Sequence, residues 1–202
     1  MDLGKMNMLH NLKETLQRED VGPSIRRFFI NTLFDSTFML LGIIVGAAFA
    51  PNASLGVVLI TMVSSSLALG VSTGVSVYEA ESLERERRIS ELEKALFRDL
   101  SGTRIEKRAR SVIATVSIIN FLTPLVSCAV VISPLALAAS NALTVDVAVW
   151  LSIMLALSTL FSAGAYFGRL GKKNPWMKGL RMVIFGLVAF VIGFLLQSLV
   201  QV

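Results

Sequence analysis

FFINTLFDSTFMLLGIIVGAAFA, residues 28–50, is an apolar run broken by a single acid, Asp35. A helix needs about 20 mostly apolar residues to cross a bilayer, so the run predicts a transmembrane helix. A carboxylate within the hydrocarbon layer costs roughly 2.5–3.5 kcal/mol on insertion scales, and so calls for a partner, a cavity or a task. Steps of three and four place Asn31, Asp35, Met39, Gly42 and Gly46 on one helix face. That face carries a carboxamide, a carboxylate and a thioether, then two glycines that admit another backbone. Hard oxygen beside softer sulfur suits a transition-metal cation better than calcium or magnesium, which marks Asp35 and Met39 as candidate ligands. The plainer reading is an acid near the helix end that reaches interfacial water, with Met39 as filler.

The rest of the chain has the same character. Of its 202 residues, 54% are hydrophobic and the mean hydropathy is +0.70, too apolar for an ordinary soluble domain. Four further apolar runs, 55–78, 111–133, 145–167 and 180–200, are each long enough to span. The expected fold is all-α, a polytopic membrane protein with five transmembrane helices. Residues 1–27 are polar and lack the apolar stretch of a cleavable signal, so the first span is expected to direct insertion. The lone Cys128 forms no intrachain disulfide and reads as a small apolar residue of the third span.

A net charge of +5 does not point to nucleic acid once its distribution is seen. Five lysines and arginines precede the first span, nine lie between the second and third, and five surround the turn between the fourth and fifth. The connections at 51–54 and 134–144 have none. By the positive-inside rule the N-terminus is cytoplasmic and the C-terminus outside or lumenal. The membrane would be the cell membrane of a prokaryote or the vacuolar membrane of a eukaryote.

Within residues 1–27, Leu9, Leu12 and Leu16 suggest a short amphipathic helix on the cytoplasmic surface, ended by Gly22-Pro23-Ser24. His10, the only histidine, has no second ligand nearby and reads as structural. Spans one and two (28–78) carry ridges of small residues, Gly42/Gly46/Ala50 and Ser66/Gly70/Gly74, which predict close packing with each other or with a symmetry mate. Ser72 and Thr73 add polarity to span two. Nothing breaks helical continuity after Tyr78, so the second helix is expected to extend into the cytoplasm for about 30 Å. In this charged region (79–110), Glu79, Glu86 and Glu93 repeat every seven residues, and Glu81 and Glu84 stand three apart. Carboxylates so spaced can share a cation. Equally, Arg85 four after Glu81 and Arg88 four after Glu84 predict self-paired salt bridges. Gly102 is expected to mark the turn. In the remaining segment (111–202), Pro124 loosens the carbonyl of Asn120. Asn120 and Ser127 then either line a cavity or merely flank a kink. Pro134 is expected to close this span, and Asp146 to serve the N-terminus of the next.

Phe34-Asp35-Ser36, SSSLALGVSTGVSVYEAE, NFLTPL and YFGRLGKKNPWMKGLRMVIFGLVAF together resemble the vacuolar iron transporter family, over nearly the whole chain from residue 28. That resemblance implies export of divalent iron, and often manganese, from the cytoplasm in exchange for protons. It also implies a homodimer, an ion route between facing first and second helices, and a glutamate-lined cytoplasmic metal-binding region. Members of the family place a methionine and a glutamate within the second span, where this chain has Leu69, Gly70 and Thr73, with Met62 well before them. They have glycine after the first-span acid, where this chain has Ser36.

Taken together, the expectation is a divalent-cation exporter, not an enzyme. Its transport route includes Asn31, Asp35, Met39, Gly42, Gly46, Ser72, Thr73 and Asn120, and its metal ligands are Asp35, Met39, Glu79, Glu81, Glu84, Glu86 and Glu93. The metal is cargo rather than a resident cofactor. The expected partners are the metal, protons, the lipid bilayer and a second copy, with no nucleic acid. The alternative is a non-transporting membrane scaffold whose charged helix docks a partner. Catalysis is disfavoured because the spans hold no histidine, no second aspartate besides the external Asp146, and no HExxH motif.

Overall fold

The structure, a computed structural model, describes residues 22–48, 54–171 and 174–200. These form five helices: α1 (Gly22–Ala48), α2 (Leu55–Leu96), α3 (Arg104–Ala139), α4 (Val145–Leu170) and α5 (Pro175–Val200). Each is long and apolar enough to cross a membrane, and no strand occurs among the described residues. The expected amphipathic segment with His10 and residues 51–53 of the first connection lie outside them. α1 begins earlier than expected because Pro23 falls in its first turn, where a missing amide costs nothing. The described residues divide into two compact units, one of residues 22–29 and 71–122, the other of those within 30–70 and 123–200.

In the second unit the core is apolar. Leu40, Leu41 and Ile44 of α1, Val58 and Met62 of α2, Cys128, Val131 and Leu135 of α3, and Ile153, Ala156 and Leu160 of α4 form one buried cluster. α4 and α5 make an antiparallel hairpin with a seam of glycine. A Cβ on Gly164 would lie 2.8 Å from the Lys178 carbonyl oxygen, and one on Gly168 would lie 2.6 Å from the Pro175 Cα. A Cβ on Gly179, on the facing helix, would lie 2.8 Å from the Phe161 ring. Only glycine lets the two backbones meet there.

The first unit is a long hairpin of α2 and α3. α2 runs unbroken for 42 residues, about 63 Å at the usual helical rise. Its small-residue ridge is used inside the chain: a Cβ on Gly74 would lie 3.1 Å from the Phe121 Cβ of α3. Ile25 and Phe28 of α1 pack on Val77, Val112 and Val116. α2 ends at Leu96, where Phe97 takes a φ of 49° and the Arg98 N–H donates to the Glu93 carbonyl, 3.2 Å. A left-handed phenylalanine is uncommon, and no sequence signal announced it. Gly102, at φ 73°, completes the turn as expected.

Pro134 does not close α3, which continues to Ala139. The missing amide of Pro134 orphans the Val130 carbonyl, and the Ser133 hydroxyl donates to it at 2.8 Å. Helix α3 ends instead in a Schellman turn. Asn141, at φ 60°, donates its N–H to Ala138, and Ala142 donates to Leu137, both at 3.0 Å.

Candidate functional site

The candidate route residues fall into both units. In the second unit, Asp35 lies eight residues after Arg27, about 12 Å along α1. Asp35 is exposed and accepts a hydrogen bond from the Asn31 Nδ2 at 3.3 Å. Its neighbours in sequence point the other way. Ser36 and Thr37 are buried and donate their hydroxyls to the Leu33 carbonyl at 3.0 and 2.7 Å. Gly42 and Gly46 are exposed on the Asp35 side, and no described atom lies within 4 Å of a Cβ built on either. Met39 is half-buried against the apolar core, so only part of its surface is open. One face of α1 therefore presents a carboxamide, a carboxylate and a bare strip of backbone.

In the first unit, Ser72 is exposed and Thr73 half-buried. The Thr73 hydroxyl donates at 3.3 Å to the carbonyl of Asn120, which Pro124 deprives of its helical donor. Asn120 itself is fully buried and donates its Nδ2 to the Val116 carbonyl at 2.9 Å. Thr73 and Asn120 are thus brought together, and their shared contact repairs a proline defect.

The glutamates of the charged hairpin are mostly occupied. Glu81 is buried, with Oε2 3.3 Å from the Arg85 Nε. Glu84 pairs with Arg88 at 3.0 Å and Glu91 with Arg87 at 3.1 Å, both in the open. Glu93 accepts the Leu100 N–H at 2.9 Å, fixing the turn. Glu79 and Glu86 are exposed. Among the described residues no three histidine, cysteine or acidic side chains converge as a metal site would require.

Two structural acids were missed in sequence. Glu106 accepts the Gly102 N–H at 2.6 Å and pairs with Arg110 at 2.7 Å. The Gly102 amide first, and the Arg110 charge second, hold its carboxyl below the usual range. Asp99 is likewise lowered, first by the Ser101 hydroxyl and then by the Ser101 amide. The signal for Glu106 was its place three residues after Thr103, in the first turn of α3.

Fold and charge pattern define the class: the described residues are all-helical, with five helices of membrane-crossing length and a charged helical hairpin. No family model matches the chain. It is similar to an uncharacterized protein of Methanocaldococcus jannaschii, 24% identical over 180 residues that cover 88% of this chain and 91% of that one.

Proposed function

We propose that the chain is a membrane transporter that exports divalent metal cations, iron foremost and manganese as a second substrate, in exchange for protons. It works as a homodimer with its N-terminus in the cytoplasm. The observation that carries this reading is the exposed Asp35 midway along α1. A carboxylate at that depth does not face lipid at tolerable cost, so its face belongs against water or another protein surface. The bare Gly42/Gly46 strip on the same helix lets a second α1 approach, and two Asp35–Asn31 pairs then supply a cation with more ligands than one copy offers. Metal and protons compete for the same carboxylates, which is the physical core of an exchange cycle. The open edge of Met39 biases the site toward softer metals.

Proteoliposomes carrying a pH gradient test the proposal. Wild type is expected to move iron and manganese but not magnesium, and Asp35→Asn to lose proton-coupled flux while staying folded. An Asp35→Asn protein with wild-type iron flux and pH dependence would refute it. A second reading, a scaffold that docks a partner through the hairpin, draws support from the self-paired glutamates. It predicts no flux of any metal.

A further inference from the structure

The α2–α3 seam of the first unit holds two adjoining concavities that meet at Tyr78. Toward the apolar stretch, a groove of about 520 Å³ is walled mainly by Val71, Gly74, Val75, Ile118 and Phe121, with Ser117 beneath and Glu79 at its rim. Toward the charged end, a cavity of about 410 Å³ is lined by Tyr78, Ser82, Arg85, Glu86, Glu106 and Arg110. The helices are antiparallel, so residues 71–79 against 117–121 run directly into 78–89 against 106–114. The two adjoin end to end at Tyr78 as one slot-like track along the seam, the first half shallow and apolar, the second charged. Its polarity changes at a tyrosine, a side chain that favours the boundary between hydrocarbon and water. That is the shape and polarity of a phospholipid.

The charged half also indicates which headgroup. Arg85 is largely buried, and its Nε makes no aligned hydrogen bond despite the nearby Glu81. A guanidinium has five donors, so Arg85 retains capacity for an acceptor such as a phosphate oxygen. Arg110, across the seam, is available at the open side although paired with Glu106. Glu86 lines the same cavity, is exposed, and makes no ion pair among the described residues. The lining therefore carries two positive and two negative side chains, with Glu79 adding another carboxylate nearby. A purely anionic headgroup leaves Glu86 facing like charge. A phosphate joined to a primary ammonium satisfies both signs at once.

We propose that this slot is a specific site for a phospholipid with a phosphoethanolamine headgroup. The phosphate lies between Arg85 and Arg110, the ammonium donates to Glu86, and one acyl chain lies along Val71, Val75 and Ile118. The site stands independently of metal transport.

Native mass spectrometry of the full chain in mild detergent tests it, with dioleoyl lipids bearing phosphoethanolamine, phosphocholine or phosphoglycerol headgroups, and with glycerophosphoethanolamine as a chainless probe. The phosphoethanolamine lipid should bind one per chain, about tenfold tighter than either other lipid, as one charge-assisted hydrogen bond allows. Glu86→Gln should erase the preference over phosphocholine, whose quaternary nitrogen has no hydrogen to donate. Arg110→Gln should weaken the phosphoethanolamine lipid about tenfold. Val75→Trp, at a position 57% exposed, should fill the groove and weaken all three lipids without touching the core. Circular dichroism checks that each variant keeps its helices. Equal retention of the three lipids would overturn the proposal, as would variants that leave retention unchanged. Glycerophosphoethanolamine binding as tightly as the lipid would mean a soluble ligand. Val75→Trp shifting the monomer–dimer ratio while lipid retention holds would mean a second copy covers the groove.

Discussion

The hairpin contains two ion pairs of identical spacing and opposite setting, which makes the worth of each a direct test of the structure. Glu81–Arg85 leaves only 7% and 15% of its side chains exposed, whereas Glu84–Arg88 leaves 54% and 58%. At the 3.3 Å separation of the first pair, an effective dielectric of about 20 gives a Coulomb attraction of roughly 5 kcal/mol. Desolvation offsets part of this, yet removing one partner strands the other charge, and such losses run to about 3–5 kcal/mol. The exposed pair should contribute only about 0.3–0.5 kcal/mol, as surface helix pairs do. Double-mutant cycles with Glu81→Gln/Arg85→Gln and Glu84→Gln/Arg88→Gln, read by reversible unfolding in detergent, give the two coupling energies. The buried pair should couple several-fold more strongly and keep that coupling in about 1 M salt, where the exposed pair loses its own. Equal couplings, or equal salt sensitivity, would refute the burial argument. Loss of manganese binding on Glu84→Gln, with the fold intact, would instead favour the glutamates as metal ligands.

Gly168→Ala should destabilise the α4–α5 hairpin by about 1–3 kcal/mol, because the new Cβ meets backbone. Gly42→Ala should leave monomer stability unchanged or raise it by up to about 1 kcal/mol, since the methyl enters open space. Bulky Gly42→Leu should instead lower the dimer fraction measured by light scattering. Thr73→Val should cost about 0.5–1.5 kcal/mol, and less in a Pro124→Ala background, where the restored amide serves the Asn120 carbonyl. Asp99 and Glu106 have folded values below their ordinary 3.8 and 4.5, so their contribution is complete above those values and is lost as pH falls through the lower folded ones. Protection factors for the Ser101 and Gly102 amides should therefore hold at neutral pH and drop in that acid window. A rise on acidification would contradict the assignment.

Much of this architecture was legible because long apolar runs leave few choices. A run of about 20 apolar residues reads as a helix, and among the described residues five runs gave five helices. The continuation of α2 beyond Tyr78 followed from the absence of glycine and proline. The failures have different causes. At Pro134 the Ser133 hydroxyl serves the Val130 carbonyl and the helix continues, whereas the turns at Phe97 and Asn141 are closed by backbone amides on left-handed residues that carry no sequence signal. The α1 site was partly legible: steps of three and four grouped Asn31 with Asp35 correctly, but could not show that Met39 leans into the core. The charged helix was ambiguous in sequence because cation sharing and self-pairing use the same spacing. In the structure Glu81 and Glu84 lie against Arg85 and Arg88, and Glu93 accepts the Leu100 N–H.

The glycine seam of α4 and α5 has a thermodynamic corollary. In the membrane-spanning arrangement proposed above, two helices that meet backbone to backbone exchange one set of dispersion contacts for another, with no release of ordered water. Forming the seam should thus carry almost no heat-capacity change, unlike the burial of apolar surface from water. With enthalpy and entropy then constant, its stability should change linearly with temperature, without the curved maximum that burial from water produces. Calorimetry of the seam should accordingly show no low-temperature weakening.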